Sequence, residues 1–173
     1  MNRFAKVAVL AGLMATASAC TRIETGEVGV RRNMSKEIET SELMPGSWNQ
    51  TVFGDVLRFP TKDVQADMPN MTPLAADNST IKDFDISVIY SINPASAAEL
   101  YIEKSRSYHA TTEEGETLLM YNYVRQLGRN AAYKVARRYE SLKMADARAE
   151  IEQLVKQEVI NQLAAEKLDN VVS

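Results

Sequence analysis

Strict alternation marks residues 84–92: Phe84, Ile86, Val88, Tyr90 and Ile92 fall on one face, and Asp83, Asp85, Ser87 and Ser91 on the other. Ile89 is the exception. A period of two over this length predicts a long antiparallel strand across 81–92 with one buried face, ended by Asn93-Pro94. Upstream, shorter apolar runs alternate with turn residues. Residues 27–32 (EVGVRR) predict a strand with Val28 and Val30 on one face. Leu43-Met44-Pro45-Gly46 predicts a turn, since proline presets φ and glycine accepts positive φ. Val52-Phe53 and residues 56–59 suggest two short strands around a Gly54-Asp55 hairpin turn, with Pro60 stopping the second. Residues 64–68 form a weaker strand pattern, and 69–80, rich in Pro, Asn, Asp and Thr, must include a loop.

The period changes at Ala95. Ala97, Ala98, Leu100 and Tyr101 predict a short helix reaching about Arg106, followed by a polar linker over 109–115. Leu119, Met120, Tyr123, Val124, Leu127, Ala131 and Val135 recur at three- and four-residue steps. They predict a helix over 116–139, which Gly128 weakens slightly. A second long helix, 145–165, carries Ile151, Leu154, Val155, Val159 and Leu163 on its stripe, with Asp146 and Lys167 complementing its dipole. Residues 168–173 look like the start of a strand, as though the natural chain continued or the tail frayed. Strands followed by helices, with no internal repeat, predict a single α+β domain.

Composition narrows the function. At 45% hydrophobic and 25% charged the chain is globular, which excludes general disorder, collagen and a polytopic membrane protein. A formal charge of −3 argues against nucleic acid as a partner. One cysteine cannot close an internal disulfide, and one histidine cannot supply a histidine-based metal site. The N-terminus differs from the rest: Arg3 and Lys6 precede an uncharged run over 7–19 that ends at Cys20. Thirteen residues are too few to span a bilayer comfortably, but they suit a signal-peptide core. Ala17-Ser18-Ala19-Cys20 resembles the lipobox of bacterial lipoproteins, with Ala17 where a large aliphatic residue is usual. The expectation is cleavage after residue 19 and acylation of Cys20, against plain secretion with cleavage near Ala19 or a retained short anchor. Loss of Arg3 and Lys6 would take the charge from −3 to −5. Thr21 is not the aspartate that marks inner-membrane retention in such lipoproteins, so the outer membrane or the periplasmic face of the envelope is the expected location.

Catalytic parts are few. A nucleophilic triad would have to use His109, which lies in a Ser-Tyr-His-Ala-Thr-Thr stretch and reads better as a surface or satisfied histidine. Glu113, Glu114 and Glu116 read as charges favouring the start of the following helix rather than as an acid/base group. No phosphate loop, dinucleotide fingerprint or metal motif occurs, so no cofactor is expected. Arg125, Arg129, Lys134, Arg137, Arg138 and Lys143 stand against Glu140 alone over 125–143. The plain reading is a solvated helix face. The sharper one has Arg129, Lys134, Arg137 and Arg138 contacting lipid phosphates or an acidic partner, with Tyr121, Tyr133 and Tyr139 at the rim and Tyr123 in the core.

In order and spacing, several segments together resemble the SPFH or Band 7 superfamily, which includes stomatin, prohibitin, flotillin and bacterial modulators of a membrane protease. They are Ile23-x-x-Gly26-Glu27-Val28-Gly29-Val30, Leu43-Met44-Pro45-Gly46, Ala76-Asp77-Asn78-Ser79 leading through Tyr90-Ser91-Ile92-Asn93-Pro94, Leu100-Tyr101, Val124-Arg125-x-x-x-Arg129 and Ala147-Arg148-x-Glu150-Ile151. Asn78 stands where the family usually has glycine, a change compatible with left-handed backbone. The chain departs from the family in carrying a lipobox-like segment instead of an N-terminal membrane helix, and in having no long coiled coil after the domain. The lipobox-like segment gives an expected signal peptide over 1–19 and a tether over 20–26, and the SPFH resemblance implies an SPFH-like fold over 27–173. It also implies a non-enzymatic, lipid-anchored scaffold that self-associates into a homo-oligomer and organises membrane or modulates a membrane protease. An exported protein-binding module without assembly is the alternative.

Overall fold

The computed structural model describes residues 20–50, 54–169 and 172. Mixed α+β architecture is what it shows: short antiparallel sheets first, then helices in the C-terminal half. β1 (Cys20–Arg22) pairs with β4 (Trp48–Gln50), so the first three of the residues 20–26 expected to form a tether lie in a strand. β2 (Glu27–Arg32) lies between β3 (Ile38–Leu43) and β5 (Asp55–Pro60). Alternation alone explains β2, whose Val28 and Val30 are fully buried. β3, with the polar sequence IETSEL, carries too weak an apolar signal to be predicted. Its place is fixed by pairing with β2 and by α1 (Ala97–Glu103), whose Ala98 N–H donates to Glu42 Oε1 at 3.3 Å.

The expected hairpin turn at Gly54-Asp55 needs correction. Gly54 makes a bend with φ +111°, but Asp55 is already the first residue of β5 and pairs with Arg32 across the sheet. Its carboxylate takes both Arg32 Nε, at 2.8 Å, and Arg32 Nη2. Val52-Phe53 lie outside the described residues.

β6 (Val64–Met71) and β7 (Phe84–Tyr90) form the second sheet, antiparallel from Val64 opposite Tyr90 to Met71 opposite Phe84. β6 thus runs three residues beyond the expected 64–68, because an irregularity between Met68 and Met71 absorbs Pro69 and the left-handed Asn70. β7 is shorter than the predicted strand: Asp83, at φ +54°, breaks the extended backbone before it. Asn78 adopts φ +61°, as its place in the turn requires.

The expected linker after α1 is instead a small hairpin, β8 (Ala110–Thr111) with β9 (Thr117–Leu118). It delays α2 (Tyr121–Ala136), which starts five residues later than the periodicity suggested. Leu119 and Met120 are buried as that stripe requires, but they precede the helix, with Met120 left-handed at φ +60°. Glu113, Glu114 and Glu116 consequently sit in and beside the hairpin turn, not at the helix start, so the dipole role expected for them does not hold. α3 (Arg148–Ala165) follows a 3-10 turn at Ser141–Lys143.

α2 covers the β6–β7 sheet and α3 packs on α2. α3 ends in a Schellman arrangement: Leu168 N–H reaches the Leu163 carbonyl at 2.9 Å and Lys167 N–H that of Ala164 at 3.0 Å. Lys167 occupies the left-handed position, φ +58°, where a side chain is strained. Lys167→Gly is therefore expected to stabilise the fold by about 1 kcal/mol, a rise of about 2–4 °C in the melting temperature. An unchanged or lower melting temperature would show that the lysine carries no strain.

Candidate functional site

Among the described residues a groove of about 1000 Å³ lies between β7 and α3. Phe84, Ile86, Val88 and Tyr90 supply its β7 side, Ile151, Val155, Val159 and Leu163 its α3 side, and Val124 of α2 contributes from between them. Sequence alternation predicted a buried face on this strand, but Phe84, Ile86 and Val88 are only half-buried and Tyr90 alone is fully so. The reason is that this face lines a groove across from α3 instead of being fully covered, and β7 also pairs with β6 along one edge only. Among the described residues its other edge meets just the isolated antiparallel bridge of Ile92 with Val172, beyond the strand's end. Of the tail expected to begin a strand, only Val172 among the described residues makes such a bridge; Leu168 and Asp169 belong to a turn, closed by the Val172 N–H on the Leu168 carbonyl at 2.9 Å. An unpaired edge beside an apolar helix stripe presents free backbone donors and acceptors next to a hydrophobic wall, the combination that accepts an extended segment. Exposed Ile89 and Ile160 stand on the groove's lining. Both sequence stripes were visible separately, but only the tertiary arrangement brings them opposite each other.

The basic residues of α2 divide into two groups. Lys134 reaches across to α3 and pairs with Glu158 at 2.6 Å, holding that carboxyl below its ordinary value with help from Gln162. It serves the α2–α3 contact. Arg129, Arg137 and Arg138 are exposed and make no ion pair among the described residues. Arg125, Arg129, Tyr133 and Arg137 follow one another at four-residue steps, a single ridge along α2. Lys143 is held by Glu140 at 2.7 Å. Of the tyrosines, Tyr123 is buried and Tyr121, Tyr133 and Tyr139 are half-buried.

His109 is a structural residue. It is 7% exposed, and its Nδ1 accepts the Met120 N–H at 3.0 Å, just ahead of α2. Its ring stacks on Tyr101, 6.1 Å between centroids, and Tyr101 in turn tilts against Phe59. Nε2 is buried with no hydrogen-bond partner. Burial pushes the imidazole pKa below its ordinary value, opposed by the Leu100 carbonyl, which lies outside hydrogen-bond geometry. No hydroxyl or carboxylate is hydrogen-bonded to the ring, so it has no triad geometry. Asn122 Nδ2 ties the same turn down through the carbonyls of His109, at 2.7 Å, and Ser107, at 3.2 Å. Cys20 pairs by its backbone with Gln50.

Among the described residues no group of three or more His, Cys, Asp and Glu is arranged to hold a metal, and no helix is long and apolar enough to cross a membrane. No curated protein matches the chain. The family described as SPFH domain / Band 7 is, in general, one of membrane-associated, non-enzymatic scaffolds. Its family model matches residues 21–171. Together with the α+β architecture, a match over that length establishes that this chain belongs to the SPFH domain / Band 7 family.

Proposed function

We propose that the protein is a lipid-anchored scaffold on the envelope of a bacterial cell, held by acylated Cys20 and working through self-association to organise membrane or restrict access to a membrane protease. Family membership supports membrane association. The observation that carries self-association is the groove, where the free edge of β7 and the α3 stripe leave apolar surface that an extended segment of a neighbour can cover. Arg129, Arg137 and Arg138 are the cations left for an acidic partner or lipid phosphates, whereas Lys134 is engaged by Glu158.

Gentle detergent extraction of tagged protein, followed by native mass measurement and partner identification, tests the proposal. A large homo-oligomer with a membrane protease attached is the expected result. Ile89→Lys combined with Ile160→Lys places two charges on exposed positions of the groove and should reduce the assembly to smaller species with the fold intact. A monomer in the soluble periplasmic fraction would eliminate both anchor and assembly, leaving an exported protein-binding module that uses the same groove.

A further inference from the structure

The start of α2 is tied to the β8–β9 hairpin by a single imidazole acceptor. His109 Nδ1 accepts the Met120 N–H at 3.0 Å, so in the neutral ring the proton sits on Nε2. Nε2 is buried and has no hydrogen-bond partner. A second proton must therefore go to Nδ1, where it meets the Met120 N–H, donor against donor. Little water reaches the ring to relieve that clash, since His109 is 7% exposed.

No carboxylate compensates a charged ring either. Tyr101 of α1 stacks on it; Lys104, Arg106 and Tyr108 follow α1, Glu116 lies on the hairpin and Tyr121 opens α2. Among the described residues none of these is hydrogen-bonded to the imidazole, and burial, opposed by the Leu100 carbonyl, sets its titration.

The surrounding chain suits local opening. β8 and β9 have two residues each, and Glu113, Glu114 and Glu116 between them are exposed. Met120 is left-handed, φ +60°, which costs free energy in any residue but glycine. Its carbonyl accepts the Val124 N–H at 2.9 Å, the first bond of α2, and Val124 lines the groove. Two ties limit the movement. The Tyr90 hydroxyl donates to the Leu119 carbonyl at 2.9 Å, and the Asn122 amide holds the carbonyls of His109 and Ser107. A short hairpin with so few buried contacts opens at low cost while the larger elements stay folded.

We propose that His109 is an acid-operated latch: its protonation opens the β8–β9 hairpin locally and frees the first turn of α2, which carries Val124 into the groove. The effect on assembly rests on the groove reading above; the latch itself stands on the His109–Met120 geometry.

Amide hydrogen exchange of the full chain at pH 7 and 5.5, corrected for its intrinsic pH dependence, tests the latch. Opening returns the imidazole to its ordinary pKa near 6.5, so the open population should rise by up to about tenfold between these values. The amides of Thr112, Met120 and Val124 should lose that much protection and respond little to dilute urea, because local opening exposes little surface. The β6–β7 amides should stay far better protected and respond to urea. His109→Gln keeps an acceptor without the titration and should remove the pH dependence. Asn122→Ala should speed exchange at the same amides at pH 7 and leave the pH dependence in place. Unchanged protection of the parent at pH 5.5 would overturn the latch. So would hairpin amides with the rate and urea response of the sheet, since His109 would then act only through global unfolding. Native mass at both pH values reads the link to the groove: the parent's assembly should shrink at pH 5.5 and that of His109→Gln should not. Equal assembly at both values despite an open hairpin would overturn the link. A monomer at pH 7 would overturn the groove reading, and the exchange data would still decide the latch.

Discussion

Gly128→Leu is expected to cost about 3 kcal/mol and lower the melting temperature by about 10 °C. Any side chain at 128 would grow into the sheet that α2 covers. A Cβ there would stand 2.7 Å from Met68 Cε, 3.0 Å from Val88 Cγ2 and 3.1 Å from Met68 Sδ. Met68 is fully buried and Val88 half-buried, so leucine's remaining carbons would have to pry the helix off β6 and β7. Gly128→Ala should behave differently. Its methyl meets the flexible end of a thioether that can turn aside, and alanine's better helix propensity, worth about 1 kcal/mol, offsets much of the strain. The expected order is parent close to alanine, with leucine far below. Adding Met68→Ala to Gly128→Leu should return part of the loss, because the two positions share one space. A leucine variant melting with the parent would show that α2 does not approach the sheet this closely.

Acid between pH 6.5 and 5 is expected to destabilise the protein chiefly through His109. The folded-state pKa of this imidazole lies below the ordinary value near 6.5, chiefly because it is buried. As pH falls, the unfolded chain takes up the proton first, so the stabilisation is complete above about pH 6.5 and is lost on going below it. The limiting slope is about 1.4 kcal/mol per pH unit until the folded-state pKa is reached. Protonation also removes the acceptor for the Met120 N–H, at the residue from which α2 starts. Because the chain contains one histidine, no second imidazole titrates in this window. His109→Gln keeps a side-chain acceptor without the titration, and its melting temperature should be nearly flat from pH 7 to 5.5 while the parent's falls. Parallel curves for the two proteins would mean that the imidazole is accommodated in either charge state.

Both predictions concern positions whose importance the sequence concealed. Gly128 looked like a mild defect in a helix, because propensity is local and the close approach of Met68 and Val88 is not. His109 reads from the sequence as a surface or satisfied histidine rather than a catalytic one, and neither its burial nor its role as the acceptor ahead of α2 is legible there. That role depends on the β8–β9 hairpin, whose strands have two residues each and no period to detect. β3 escaped for a similar reason: a half-exposed edge strand carries polar residues, and only its pairing with β2 defines it. The basic run was visible as composition, while the ion pair that sets Lys134 apart from Arg129, Arg137 and Arg138 required α3 to be in place.

Local pattern by itself determined the α+β class, the strands at β2 and β7, the apolar stripes of α2 and α3, and the ordered motifs that mark the SPFH domain / Band 7 family. Each of these follows from period, turn chemistry or spacing within about 20 residues. Tertiary structure alone decided that one edge of β7 is left unpaired, that α3 stands across a groove from it, and that Asp77 ties down Ser141 in the turn before α3. Those are relations between segments about 60 residues apart, and no local periodicity encodes which faces meet.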